Sequence, residues 1–267
     1  MSKVKVAEQF YSIQGEGPYA GTPAIFLRVV GCNLSCGVKP EELPPVDAPQ
    51  REYEARQADN ASWTCDTLSV WRPSGSTYEP IDLAHDWEGR DWLDDLRRGA
   101  HIVLTGGEPT LRAHQNALYD FVMTLNDVFD CSPFVEVETN GTQNLQPNFM
   151  GVTDHFNVSL KLANSGMEHE RRISPLAIDQ YVAMQQDDSQ PDAKFKFVVG
   201  STDDLEEIYA LTTKYKIPDS MVSLMPAGAS QEQLRETYPV VAEVCKQSGW
   251  DFSPRLHVDV WDMATGV

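Results

Sequence analysis

Short β-prone segments alternate with helical segments along most of this chain, and this alternation constrains the fold more than any other feature. The six core β-prone segments span residues 23–30, 101–104, 134–137, 155–159, 194–199 and 221–224. Apolar residues at helical spacing lie between them, with one helix predicted over residues 81–98. Alternating strands and helices form a mainly parallel sheet with right-handed crossovers. The sequence therefore predicts a single α/β domain over residues 1–267, which is long enough for a proper core.

Chemically distinctive residues follow the carboxyl ends of the six predicted strands. They are Cys32, Gly107, Glu138, Lys161, Gly200 and Pro226. In barrel-like α/β folds this end of the sheet is the catalytic face, so we expect these residues to lie on one rim. A last β-like stretch is predicted to end near His257.

Three of the five cysteines are concentrated in the first quarter of the chain. Cys32, Cys36 and Cys65 contrast with the isolated Cys131 and Cys245. A cubane of iron and sulfide normally takes one thiolate per iron. Three thiolates would leave one iron open to the amino and carboxylate groups of S-adenosylmethionine (SAM), a cofactor that supplies difficult chemistry. The alternatives are small buried hydrophobic residues and three ligands of a zinc site.

A polar, proline-punctuated segment separates Cys36 from Cys65. It contains Pro40-Glu41-Glu42-Leu43-Pro44-Pro45, and its residues 51–60 are compatible with a short helix. We interpret residues at about 37–64 as an insertion that forms a surface excursion and offers no chemistry of its own.

The chain is strongly acidic, with 40 Asp and Glu against 21 Lys and Arg and a net charge of -19. This balance argues against affinity based on nucleic-acid phosphates, which needs clustered cations. The acids are scattered, which favours a halophilic protein that is kept soluble by its charge. No apolar run approaches the length of a membrane span, and no signal-type core follows Met1. We therefore expect a cytoplasmic protein with no membrane partner, in which cysteines are free thiols or metal ligands.

Two candidate ligand-binding features lie before and within the first core strand. Gln14-Gly15-Glu16-Gly17 would let the backbone approach a ligand closely, although an ordinary turn has the same composition. Arg28 interrupts an apolar strand, where a charge is costly unless it is paired. Its partner is either a structural carboxylate or an anionic ligand in a cavity.

Other candidate residues lie at strand ends or near the thiols. Glu138 could accept hydrogen bonds from ribose hydroxyls or an ammonium group, or form a structural salt bridge. Lys161 could pair with Glu138 or with a ligand carboxylate, or stay solvated. Thr67 offers a hydroxyl to a hard cation such as Mg²⁺. His257 is either a core histidine or an acid-base group at the mouth of the site. The glycines in Thr105-Gly106-Gly107-Glu108-Pro109 either expose backbone groups to a ligand or form a tight turn.

Taken together, these residues resemble a known family. Cys32 and Cys36 with a later cysteine, followed by Gly106-Gly107-Glu108-Pro109, resemble the motifs of radical SAM enzymes. Further motifs make the chain similar to 7-carboxy-7-deazaguanine synthases over residues 10–257. These motifs are Gln14-Gly15-Glu16-Gly17, Phe26-Leu27-Arg28, Cys65-Asp66-Thr67 and Glu138-Thr139-Asn140-Gly141.

The resemblance implies a fold, an activity and a set of cofactors. The fold would be a shortened, partial TIM-type barrel of about six mainly parallel strands, of the radical SAM type. The enzyme would be a carbon-nitrogen lyase that converts 6-carboxy-5,6,7,8-tetrahydropterin to 7-carboxy-7-deazaguanine with loss of ammonia, on the way to queuosine or archaeosine. A reduced 4Fe-4S cluster would cleave SAM to a 5'-deoxyadenosyl radical that takes hydrogen from the pterin. Mg²⁺, a homodimer and an electron donor such as a flavodoxin or ferredoxin are also implied.

The resemblance further implies roles for individual residues. The cluster ligands would be Cys32, Cys36 and Cys65, and Thr67 would ligate Mg²⁺. The SAM site would comprise Thr64, Cys65, Asp66, Gly107, Glu138, Ser159, Leu160, Lys161, Met225, Pro226, Ala227 and Gly228. The pterin site would comprise Ile13, Gln14, Gly15, Arg28, Thr105 and Val267. Arg28, Lys161 and His257 would act in catalysis.

The thiol spacing departs from the family pattern. The family usually has Cys-x3-Cys-x2-Cys, whereas about two dozen extra residues lie here between the second and third thiols. Ser62 stands where a Cys-x2-Cys pattern would place its first thiol, so Cys36 must be the middle ligand. Two other functions stay open: an activase of a glycyl-radical protein, which Gln14 and Arg28 disfavour because they suit a small anionic substrate, and a zinc-stabilised binding module.

Overall fold

The computed structural model describes residues 2–39, 57–71, 75–187, 189–262 and 264. Two sequence predictions therefore lie outside the described residues: most of the insertion, including most of the helix suggested over 51–60, and the contact of Val267 with substrate.

Nine strands in the described part of the chain form one sheet in the order β3-β1-β2-β4-β5-β6-β7-β8-β9. The strands are β1 (Val4–Ile13), β2 (Pro23–Val29), β3 (Ser76–Tyr78), β4 (His101–Gly106), β5 (Val135–Thr139), β6 (His155–Val158), β7 (Asp192–Val199), β8 (Val222–Pro226) and β9 (Asp251–Phe252). Strand β1 is antiparallel to β2 and β3, and all the other pairs are parallel. The six predicted core strands are β2 and β4 to β8, so that part of the fold prediction is confirmed.

Helices connect the parallel strands, as the alternation predicts. They are α1 (Pro80–Glu88), α2 (Trp92–Arg97), α3 (Arg112–Phe129), α4 (Pro147–Met150), α5 (His169–Arg172), α6 (Pro175–Met184), α7 (Asp204–Tyr215), α8 (Gln231–Ser248) and α9 (Leu256–Trp261). Short 3-10 turns cover Leu68–Trp71 and Asp219–Met221. None of the helices in the described ranges is long and apolar enough to cross a membrane.

Two sequence predictions about secondary structure are wrong. The single helix over residues 81–98 is two helices, because Asp91 adopts a left-handed conformation with φ of 62° between α1 and α2. The final β-like stretch is also shorter than predicted. Pro254 follows β9 closely and has no N–H to donate to a strand ladder, and His257 lies in the first turn of α9.

The two faces of the sheet differ in chemistry because successive side chains of a strand point to opposite faces. Ile25, Leu27 and Val29 of β2 belong to the main core, which they share with apolar residues of the helices. The opposite face, called the inner face below, carries Phe26 in a small cluster with Val103. By the same alternation the inner face carries polar residues from all six core strands, which include Arg28, Thr105, Glu136, Glu138, Asn157, Lys196 and Ser223. A polar inner face next to the carboxyl ends of parallel strands is where a ligand site is expected.

Candidate active site

The three clustered cysteines of the sequence come together in space. Cys32, Cys36 and Cys65 pack in one small apolar cluster with Leu34, Met167 and Trp63. The backbone N–H of Cys65 donates to the carbonyl oxygen of Cys36 at 3.2 Å. The chain therefore returns to its starting point after the excursion and delivers Cys65 beside Cys36.

The loop after β6 holds the returning segment in place. Ala61 forms an antiparallel bridge with Ser165, and Ser62 N donates to Asn164 O at 2.9 Å. The indole Nε1 of Trp63 donates to Asn164 Oδ1 at 2.9 Å. These contacts give the segment a fixed register against residues 164–165, independently of the thiols.

Gly37 permits the outgoing and returning segments of the excursion to lie against each other. It has φ of 78°, and a Cβ there would stand 2.1 Å from the carbonyl oxygen of Trp63. Only glycine tolerates both the conformation and the approach. One residue further on, Val38 bridges Gln57. The excursion thus leaves and returns as a paired stem, which explains how a long insertion still places the third thiol.

Burial keeps the three thiols protonated in the absence of a cation. Desolvation raises the pKa of Cys32 and of Cys36 to about 12, and burial also raises the pKa of Cys65. The charge of Lys161 lowers the pKa of Cys36 and Cys65 without offsetting burial. A bound metal deprotonates a coordinating thiol outright. The donor set, three buried thiols in one cluster, therefore fits an iron-sulfur group.

Hydrogen-bonding groups lie beside two of the three sulfur atoms. Leu34 N lies 3.5 Å from Cys32 Sγ, and Asn140 Nδ2 lies 3.8 Å from the same atom. Thr67 Oγ1 lies 3.3 Å from Cys65 Sγ. Such contacts tune the reduction potential of a cluster. Among the described residues, no three His, Cys, Asp or Glu side chains are grouped so that together they could hold a single metal ion. A cubane has a different requirement, because each thiolate binds a different iron.

The glycine pair after β4 brings that strand's exit loop against the loop that carries Cys32. Gly106 has φ of 121°, and a Cβ on Gly107 would stand 1.9 Å from Gly31 O and 2.9 Å from Cys32 N. Glu108 N donates to Gly31 O at 2.8 Å. Gly107 is therefore required by the close approach of the backbone at the thiol loop, and Gly106 by its positive φ and its close approach to Val29 at the end of β2.

Glu108 links the exits of β4 and β5. Its buried carboxylate accepts hydrogen bonds from Thr110 N at 2.9 Å, Thr139 Oγ1 at 2.7 Å and Asn140 N at 2.7 Å. Burial raises the pKa of this carboxyl, and the hydrogen bonds oppose that shift. Glu108 thus holds two strand exits together from the inside.

Glu138 forms hydrogen bonds and no ion pair among the described residues. Its carboxylate accepts from Thr105 Oγ1 at 2.8 Å and from Gln14 Nε2 at 3.4 Å. Gln14 Nε2 also donates to Glu136 at 3.2 Å. The structure therefore brings three predicted site residues, Gln14, Thr105 and Glu138, into contact on the inner face.

Lys161 does not pair with Glu138, which was one sequence expectation. Its Nζ donates to Ser159 Oγ at 2.9 Å and lies 5.6 Å from the centre of the Trp63 ring. Leu160, between these two site candidates, is buried in the main core, so only its backbone is available to a ligand.

Arg28 meets a carboxylate of this chain. Its Nε lies 3.1 Å from Glu8 Oε2, and its guanidinium lies 5.4 Å from the centre of the Phe10 ring. The Nε is nevertheless buried without a hydrogen-bond partner among the described residues. Strand register places Arg28 opposite Thr105. The structural carboxylate is thus present, and the guanidinium keeps donor capacity beside Thr105.

His257 reaches the predicted substrate loop from helix α9. A Cβ on Gly15 would stand 2.1 Å from the ring Nδ1 of His257, and Leu256 N donates to Gly15 O at 2.8 Å. Burial lowers the pKa of His257, although the charge of Glu16 opposes the shift. Burial therefore disfavours the charged form of the imidazole, which lies directly against Gly15.

Sequence reasoning missed two buried cations, Lys196 and Arg255. Lys196 pairs with Glu16, and Arg255 pairs with Glu16 at 3.2 Å and with Asp66 at 2.6 Å. Burial alone would raise the pKa of Glu16, but the charges of Lys196 and Arg255 hold it well below its usual value. The signal for Lys196 was present, since it is a charge inside an apolar strand in the same way as Arg28.

Comparison with known proteins finds relatives that match over nearly the whole chain. No protein-family model matches the chain. A 7-carboxy-7-deazaguanine synthase of Halobacterium salinarum is 31% identical over 280 residues, which cover 97% of this chain and 91% of that protein. The synthase of Pyrobaculum aerophilum is 30% identical over 264 residues, which cover 99% of this chain and 97% of that protein. The crystal structure of QueE from Escherichia coli matches with a TM-score of 0.57 at 20% identity, covering 94% of this chain and 93% of that one.

Proposed function

This chain belongs to the 7-carboxy-7-deazaguanine synthase family, and we propose that it converts 6-carboxy-5,6,7,8-tetrahydropterin to 7-carboxy-7-deazaguanine with loss of ammonia. It is a radical SAM lyase with an α/β fold of the shortened-barrel type. The observation that carries the proposal is the meeting of Cys32, Cys36 and Cys65 in one cluster at the carboxyl ends of the strands.

We assign the cluster and SAM to the rim where the thiols lie. Cys32, Cys36 and Cys65 would hold a 4Fe-4S cluster with one iron open. When bound, the reduced cluster and SAM supply a 5'-deoxyadenosyl radical. The chain would hold SAM with residues at four strand exits and beside the third thiol: Thr64, Asp66, Gly107, Glu138, Ser159, Leu160, Lys161, Met225, Pro226, Ala227 and Gly228. Glu138 supports this assignment because its carboxylate is bound by hydrogen bonds alone.

We assign the pterin to the inner face between the first loop and β4. The guanidinium of Arg28 would bind the pterin carboxylate, a pairing in which an arginine can donate two parallel hydrogen bonds. Thr105 lies opposite Arg28 in the sheet. Ile13, Gln14 and Gly15 form the adjoining edge, and the imidazole of His257 would accept a proton there. Lys161 would supply a cation from the β6 exit.

Family membership separates this function from the two alternatives. A glycyl-radical activase would also use a three-thiol cluster, and a zinc-stabilised module would use the same thiols structurally. The Halobacterium salinarum and Pyrobaculum aerophilum relatives, which match over nearly the whole chain, are 7-carboxy-7-deazaguanine synthases. Extending the proposal, we place the product in queuosine or archaeosine synthesis, with a homodimer and a flavodoxin or ferredoxin as reductant. The acidic surface would serve solubility at high salt.

The domain organisation belongs to the same proposal. We treat residues 1–267 as one radical SAM domain with an insertion at about residues 37–64. This is supported by the main core, which contains residues from Val4 near the start to Trp250 near the end.

An anaerobic turnover experiment tests the function. The protein is reconstituted with iron and sulfide, then incubated with carboxytetrahydropterin, SAM and dithionite, and the products are identified by mass spectrometry. We expect 7-carboxy-7-deazaguanine and 5'-deoxyadenosine, and neither compound from a zinc-loaded sample. A fully reconstituted protein that forms neither compound would refute the assignment.

Removal of the Thr67 hydroxyl tests the proposed Mg²⁺ site. Thr67→Ala should keep the cluster but need at least about tenfold more Mg²⁺ for half-maximal turnover, because the hard cation loses an oxygen ligand. Thr77→Ala, at an exposed position of β3, is the matched control. An unchanged response of Thr67→Ala to titrated Mg²⁺ would remove Thr67 from the metal site.

A further inference from the structure

One guanidinium contacts three loops that the proposed function assigns to different ligands. Arg255 Nη2 donates to Asp66 Oδ2 at 2.6 Å, and Nε donates to Glu16 Oε1 at 3.2 Å. Its Nη1 donates to the carbonyl oxygen of Gly228 at 2.6 Å. All three nitrogen atoms of the guanidinium are therefore engaged, each with a different segment of the chain.

Each partner of Arg255 is adjacent to, or part of, a proposed site. Asp66 follows the third thiol, Cys65, and Glu16 follows Gly15 in the loop assigned to the pterin. Gly228 ends the segment assigned to SAM. The three loops come from distant parts of the sequence, since Arg255 is 239 residues from Glu16 and 189 from Asp66. No other single side chain in the described ranges is hydrogen-bonded to all three loops.

The charges around Arg255 balance locally. Arg255 is buried, with 8% of its surface exposed, and a buried guanidinium without partners would be strongly destabilising. Glu16 also pairs with the buried Lys196, so two cations face two carboxylates. This charge balance explains why the fold can bury the guanidinium of Arg255. It does not explain why a single residue bridges three loops.

Arginine geometry is what the bridge requires. The guanidinium is a planar fork of donors, whereas a lysine ammonium is a compact charge on a flexible stem. A lysine at position 255 could neutralise Glu16 or Asp66 but could not span both carboxylates and the carbonyl of Gly228. The backbone adds a second tie, since Arg255 N donates to Tyr238 Oη at 2.9 Å and Leu256 N donates to Gly15 O at 2.8 Å.

From these contacts we propose that Arg255 is a positioning residue, which locks the third-thiol loop, the pterin loop and the SAM loop into one mutual arrangement. The inference rests on the proposed function and adds to it a residue that touches neither substrate nor cofactor. Arg255 would thereby fix where the cluster, SAM and the pterin lie relative to one another. Hydrogen transfer from the pterin to the radical depends on that placement, because the reacting atoms must be held close together and aligned.

The test compares Arg255→Lys with the wild type and with Arg235→Lys, a control at an exposed position of helix α8. In reconstituted Arg255→Lys enzyme we expect product turnover to fall about 100-fold. We also expect the amount of 5'-deoxyadenosine formed per product to rise several-fold, and cluster iron to be released faster to a chelator. Arg235→Lys should match the wild type in all three measurements.

The readouts separate positioning from simple stabilisation. If Arg255→Lys shows the wild-type ratio of 5'-deoxyadenosine to product and the wild-type iron-release rate, with only a lower melting temperature, the positioning role is overturned. Should Arg255→Lys not fold, Asp66→Asn keeps the side-chain shape and removes the charge from one arm. Because Asp66 is also assigned to the SAM site, this variant is judged by iron release in the absence of SAM. That rate should rise, and an unchanged rate would again overturn the role.

Failure of the proposed function would look different. A reconstituted wild type that forms no deazaguanine refutes the function, whatever the variants do. The iron-release comparison still tests the tie between Arg255 and the third-thiol loop in that case, because it needs neither substrate nor turnover.

Discussion

Replacing Cys65 with alanine should abolish turnover, with a loss of at least about 10⁶-fold, the low end of enzymic rate enhancements. The physical reason is that two remaining thiolates cannot hold the cluster that supplies the chemistry. Iron and sulfide content per chain and product formation after anaerobic reconstitution measure the effect. The protein should also lose the brown colour of an iron-sulfur protein.

Cys131→Ala is the matched control for this prediction. Cys131 is buried in the main core, away from the three thiols, so its removal should leave iron content and turnover unchanged. A Cys65→Ala protein with wild-type iron content and turnover would show that the excursion does not deliver a cluster ligand. Cys36→Ala should behave as Cys65→Ala does, because Cys36 is the only candidate for the middle ligand.

Lys196→Met should lower the free energy of unfolding by about 3 kcal/mol, because removing one partner of a buried pair strands the other charge. Lys196 and Glu16 are both largely buried, with 5% and 16% of their side chains exposed. Arg255 remains beside Glu16, which places the effect at the low end for a buried pair. Urea unfolding of the iron-free chain at pH 7 gives the measurement.

The effect of Lys196→Met should shrink in acid. The pKa of Glu16 is held below its ordinary value of 4.5, so its carboxylate contributes stability that is complete above pH 4.5 and is lost as the pH falls below that value. The difference between wild type and variant should therefore be largest near neutral pH and narrow below about 4.5. A difference that stays constant down to pH 3 would contradict this account.

Lys194→Met is the control within the same strand. Lys194 pairs with Asp251, and their side chains are 15% and 66% exposed. The carboxylate that Lys194→Met leaves unpaired therefore stays solvated, and the loss should be less than about 1 kcal/mol, as for ion pairs at the surface. If the two methionine variants lose equal stability, the Glu16 pair is not the buried interaction that the structure indicates.

The sequence predicted the parallel core because local pattern and topology agree there. Each core strand is a run of apolar residues followed by a loop and a helix, and right-handed crossovers leave few ways to arrange such units. The strand exits at Cys32, Gly107 and Glu138 could be placed on one rim from this rule alone. The antiparallel strands β1 and β3 were not predicted, since their pairing depends on tertiary contact.

The way in which the chain returns to place Cys65 could not be predicted from the sequence. Spacing indicated that Cys65 had to return across an insertion, but the means of return depends on long-range pairs such as Ala61 with Ser165. Gly37 was the local signal, because a glycine directly after Cys36 allows the stem to close. The resemblance identified Cys65 as the third ligand. The contacts of the returning segment explain how Cys65 comes to lie beside Cys36.

The buried charges were harder to predict. Arg28 and Lys196 are both charges inside apolar strands, but only Arg28 was predicted as a site residue. Arg255 lies after a proline in what was predicted to be β structure, where an arginine is usually solvated. The proposed role of Arg255 depends on three partners that are far apart in the sequence. No local sequence pattern predicts that they lie around one side chain.

The central claim is that Cys32, Cys36 and Cys65 hold a cluster with one iron open to SAM. Electron paramagnetic resonance of the reconstituted, reduced protein, recorded with and without SAM, tests it most directly. We expect about four irons and four sulfides per chain and a spectrum that changes when SAM is added. A protein that binds zinc but no iron, or a cluster spectrum that SAM leaves unchanged, would contradict it.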